Sequence, residues 1–106
     1  MSYRFMRVIV LFDLPTYTSE DMRDYRRFRK YLLKSGFFML QESVYCKLAL
    51  NHSIVKTIEL SLKKNKPKSG LVQVLVITEK QYSKMIYLVG ERKNDKLDDD
   101  DRTVII

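Results

Sequence analysis

The sequence predicts an α+β domain of the ferredoxin-like βαββαβ order, with an extra C-terminal strand appendix. It further predicts a homodimer packed sheet face to sheet face. Three observations carry this. β-Prone runs and amphipathic helical runs follow one another as strand, helix, strand, strand, helix, strand. The strand runs are apolar on both alternating sides, yet only two long helices are available to cover them. With 106 residues, 45% of them hydrophobic, the chain supports one compact core.

Met6–Asp13 reads as the first strand, five apolar residues from Val8 to Phe12 ending on a carboxylate. Thr18 and Asp21 form a capping box for a helix that runs to about Ser35, with Glu20 in its first turn and Gly36 as its stop. Phe37–Gln41 and Ser43–Leu50 form a hairpin around Glu42. Asn51 or Ser53 caps a second helix, which ends in the basic segment KKNKPKSG, residues 63–70. Leu71–Thr78 is the fourth strand, Glu79–Met85 a short helix and Ile86–Val89 a short strand. Residues 1–93 thus form the domain, and residues 94–106 an acidic loop and docking strand.

Within the first strand, Val8, Val10 and Phe12 point one way while Ile9 and Leu11 point the other. In the fourth, Val72, Val74 and Val76 oppose Leu71, Leu75 and Ile77. Two helices cover one face, and a second copy related by a two-fold axis is expected to cover the other. The terminal run Thr103, Val104, Ile105 and Ile106 is too β-prone for a free tail. It is expected to dock as an edge strand on its own sheet, on the twin subunit or on another protein.

Nothing in the sequence resembles a signal peptide, and no run approaches the length of a membrane span. Cys46 is the single cysteine, so no internal disulfide forms and a cytoplasmic location with no membrane partner is expected. Net charge is +7, unevenly distributed: residues 1–93 hold 18 Lys and Arg against 8 Asp and Glu. A small domain this basic suggests a polyanion partner.

The cations have a pattern. On a helical wheel Arg23, Arg26, Arg27, Lys30 and Lys34 fall within about 60° of one direction. Met22, Tyr25, Phe28, Leu32 and Leu33 gather opposite, and Arg29 falls among them. The ridge spans about 16 Å and could follow several backbone phosphates. Lys63, Lys64, Lys66 and Lys68 form a second basic element. Such surfaces read the shape of a duplex rather than its base sequence.

Asp13 has two readings. It either caps the turn before Pro15 or binds a divalent cation, which two copies brought together at a two-fold axis would hold better than one. His52 beside a helix cap and Cys46 among apolar neighbours read as structural. The acidic run Asp98–Asp101 reads as a solvated linker.

FDLP after the apolar first strand, YRRFRKYLLKSGF in the first helix, QESVY in the hairpin and LVITEKQYSKMIYLVGE after the fourth strand together resemble one family. It is the small CRISPR-associated spacer-acquisition subunit, and the likeness is closest to the branch accompanying type II systems. The resemblance implies a homodimer bridging two dimers of the large integrase subunit, holding a double-stranded DNA protospacer for insertion into the CRISPR array. In that role the chain is a structural DNA-binding subunit, and the terminal Thr103–Ile106 matches the partner-docking segment. Asp13 matches the family's strand-end aspartate, described as a Mg²⁺ ligand and catalytic residue in members that act as endonucleases on RNA or DNA. The Mg²⁺-dependent endonuclease is therefore the alternative function. An RNA-recognition module is disfavoured, because SVYCKLAL lacks its paired aromatics and glycines.

Overall fold

The computed structural model describes residues 5–91. Its elements are β1 (Met6–Asp13), α1 (Ser19–Lys34), β2 (Phe38–Gln41), β3 (Val44–Ala49), α2 (His52–Lys64), β4 (Leu71–Thr78) and α3 (Glu79–Ser83). The four strands form one antiparallel sheet in the order β2-β3-β1-β4. This is the predicted ferredoxin-like arrangement.

The local chemistry of each helix start explains where it begins. Thr18 caps α1 by accepting the Asp21 N–H at 3.0 Å, while the Asp21 carboxylate accepts the Thr18 N–H at 3.2 Å. Asn51, rather than Ser53, caps α2 by accepting the Ile54 N–H at 2.9 Å. Thr78 and Gln81 form a second capping box at α3.

Both long helices lie on one face of the sheet. Phe28 and Leu32 of α1 and Val55, Ile58 and Leu62 of α2 pack with Met6, Val8, Val10, Phe12, Tyr45 and Ala49. Phe12 sits at the centre of an aromatic group, with Phe28 edge-on at 5.3 Å and Tyr45 stacked at 5.7 Å. The Tyr31 and Ser61 hydroxyls meet at 2.5 Å and tie α1 to α2.

The opposite face carries Ile9, Leu11, Phe38, Leu40, Val44, Cys46 and Ile77, continued by Leu71 and Leu75, which are 55% and 52% exposed. Among the described residues only α3 covers part of it, through the buried Tyr82. Beneath α3 the buried Arg7 pairs with Glu79 through Nε at 2.5 Å and Nη2 at 3.2 Å, and its guanidinium lies 4.3 Å from the Tyr82 ring centre. One end of this face is therefore closed by α3, and among the described residues the end carrying Asp13 and Leu71 is open.

Two expectations need correction. Ile86–Val89 is not a strand among the described residues. Ile86, Leu88 and Val89 are 77%, 89% and 92% exposed, and no described strand pairs with them. A β-prone run becomes a strand only where a neighbouring edge satisfies its N–H and C=O groups. Leu33, assigned to the apolar side of α1, is exposed, because one step of the helix past the buried Leu32 turns it off the sheet-facing stripe. Arg29, which does not fit the wheel, is exposed and so reaches water. The acidic run and Thr103–Ile106 lie outside the described residues, as does the division at residue 94.

Candidate nucleic-acid interface and strand-end carboxylate

The basic ridge is on the surface. Arg23, Arg26, Arg27, Lys30 and Lys34 are all exposed, because the same helix buries Phe28 and Leu32. Lys63, Lys64, Lys66 and Lys68 are exposed as well. Lys63 and Lys64 end α2, and the loop that carries Lys66 and Lys68 is built rather than loose. Asn65 closes α2, its N–H donating to Ser61 O at 3.1 Å and its Nδ2 to the same oxygen at 2.8 Å. Pro67 is buried between the exposed Lys66 and Lys68.

Ridge and loop meet at Asp24. Its carboxylate accepts the Lys68 N–H at 3.0 Å and pairs with the Arg27 guanidinium. Lys68 Nζ also lies 3.7 Å from Glu20. The two basic elements, which the sequence presents as separate, are therefore one surface.

Asp13 lies at the end of β1, exposed. The pleat places it on the same side of the sheet as Ile9 and Leu11, at the open end of the apolar face. Its carboxylate makes no hydrogen bond or ion pair among the described residues, so it does not cap the turn before Pro15. A cleft of about 430 Å³ runs past it, lined also by Thr16, Met22, Tyr25, Glu42 and Ser43. Ser43 holds φ at 66°, uncommon for a residue with a Cβ, and its carbonyl accepts the Phe12 N–H at 3.1 Å. That bond brings the β2–β3 turn, and Glu42 with it, to the strand end.

The sequence does not single out Gly70. Its φ is +96°, and a Cβ there would lie 2.8 Å from both the Asp13 carbonyl oxygen and Leu14 Cδ2. The basic loop and the end of β1 thus approach each other too closely to admit a side chain at residue 70. Gly70→Ala is expected to cost about 1–3 kcal/mol, measured by urea denaturation. An unchanged midpoint would mean the contact relaxes freely. The Arg7–Glu79 pair is equally hidden, since 72 residues separate the partners and only a charge inside an apolar strand hints at it.

His52 is exposed in the first turn of α2. Cys46 is a fully buried thiol 3.9 Å from the Arg7 guanidinium. Among the described residues no group of three or more His, Cys, Asp and Glu could hold a metal ion, and no helix is long and apolar enough to cross a membrane.

A sequence model of the family described as CRISPR associated protein Cas2 matches residues 6–85. The chain belongs to the Cas2 family. It is 54% identical over 101 residues to a CRISPR-associated endoribonuclease Cas2 of Treponema denticola, covering 95% of this chain and all of the relative. It is 48% identical over 101 residues to a protein of the same name from Streptococcus mutans, covering 95% and 93%. A solved Cas2 crystal structure superposes with a TM-score of 0.57 at 25% identity, covering 84% of this chain and 91% of that one. Both of these relatives carry the name endoribonuclease.

Proposed function

We propose that this Cas2-family chain is a homodimeric, nucleic-acid-binding endoribonuclease in which the two copies of Asp13 meet near a two-fold axis. The observation that carries it is the exposed, uncommitted Asp13 carboxylate at the open end of an apolar sheet face. A second copy laid on that face would bury Leu71 and Leu75 and place the strand ends at the rim of the contact. The exposed Ile86, Leu88 and Val89 give such a copy further apolar surface.

The family implies Mg²⁺, and the donor set fits it. Asp13, Glu42, Ser43 and Thr16 line one cleft with hard oxygen donors, and Mg²⁺ is commonly held by one or two carboxylates plus water and phosphate. When bound it would supply an activated water and charge neutralisation at phosphorus. The chain's own residues hold the backbone through the ridge and loop and aim the Asp13 carboxylate from a strand fixed by Gly70 and Ser43.

Leu75→Asp tests the reading. Leu75 is half exposed, so the variant should fold, yet a buried unpaired carboxylate would block the sheet-to-sheet contact. The wild type is expected at about twice 12.7 kDa by light scattering, and the variant at the single-chain mass and without ribonuclease activity. A wild type of single-chain mass, or a monomeric variant that still cleaves, overturns it.

The continuous basic surface favours a second reading. Here the dimer is the scaffold of a spacer-acquisition complex, bridging two dimers of the large integrase subunit and holding a duplex protospacer. Its chemistry would then belong to the partner.

A further inference from the structure

We propose that Asp24 is a positioning residue for phosphate-backbone binding, although its own charge opposes an anion. The proposal deepens the nucleic-acid-binding reading and rests on it. Asp24 joins the two basic elements across 44 residues, beside the longer and more exposed Glu20–Lys68 pair: one oxygen accepts the Lys68 N–H at 3.0 Å and the other pairs with Arg27. Its side chain is only 13% exposed, whereas that of Arg27 is 61% exposed. The carboxylate is thus screened from a ligand, while the Arg27 guanidinium that it pairs with and the side chain of Lys68, whose backbone it holds, face outward. It sets the spacing between the α1 ridge and the loop that carries Lys66 and Lys68. A backbone bound by cations of fixed spacing need not order the loop on binding, which lowers the entropic cost of association.

Charge and geometry predict opposite results, which makes the proposal testable. Asp24→Ala makes the protein more basic, so charge alone predicts tighter binding. Positioning predicts binding roughly 5- to 10-fold weaker, with a salt slope shallower by about 1 as one phosphate contact is lost. Asp24→Asn keeps an oxygen acceptor for Lys68 and is expected to bind at least as well as the wild type. Asp24→Glu keeps the charge but shifts the carboxylate by one methylene, and is expected to bind more weakly. It carries the test if Asp24→Ala does not fold.

The measurements are anisotropy of a labelled DNA duplex against salt, and hydrogen exchange of the Lys68 amide. Exchange should accelerate in Asp24→Ala and stay slow in Asp24→Asn. Binding by Asp24→Ala or Asp24→Glu as tight as wild type overturns the proposal. So does weak binding by Asp24→Asn with the Lys68 amide still protected. If Arg27→Glu with Lys30→Glu leaves binding unchanged, the nucleic-acid reading itself fails.

Discussion

Asp13→Asn is expected to reduce Mg²⁺-dependent RNA cleavage by roughly 100- to 1000-fold, the scale of removing one charge-stabilising group from an active site. The substitution is nearly isosteric, and the Asp13 side chain supports no hydrogen bond or ion pair among the described residues. Stability and dimer mass should therefore stay at wild-type values. Duplex affinity should hold or rise slightly, because a negative charge beside the basic surface has gone. Denaturing gels of labelled RNA, with Mg²⁺ and with chelator, read the first effect. Cleavage at the wild-type rate would remove Asp13 from the chemistry and leave the scaffold reading in place.

Arg27→Glu combined with Lys30→Glu is expected to weaken duplex binding roughly 10- to 100-fold at about 0.1 M salt, with a salt slope lower by about 0.9 per lost phosphate contact. Both side chains are exposed, so the fold should be unaffected. Arg27→Glu also sets a new carboxylate beside Asp24, where like charges repel, which adds to the loss at the joint with the loop. Binding at the wild-type level would reduce the ridge to an ordinary solvated helix face.

The fold is legible in the sequence because its signals are local. Thr18 and Asp21, Asn51, and the alternation of Val8, Val10 and Phe12 against Ile9 and Leu11 each act within a few residues. The placement of Asp13 at the end of β1 and of the ridge cations on one exposed helix face is legible for the same reason. The joint between ridge and loop is not, since Asp24 and Lys68 are 44 residues apart and neither is unusual in its own neighbourhood. Gly70 reads as a turn residue, because only the approach of Asp13 and Leu14 makes its missing side chain necessary. Ile86–Val89 misleads because apolar, β-prone composition does not say whether an edge lies within reach.

The wedge at Gly70 has a mechanical consequence. The basic loop and the strand tip that carries Asp13 abut where Gly70 meets the Asp13 carbonyl and Leu14, with no side chain on residue 70 to hold them apart. A displacement of the loop is therefore expected to reach the strand tip, which would gear binding to chemistry if the proposed roles of the lysines and Asp13 hold.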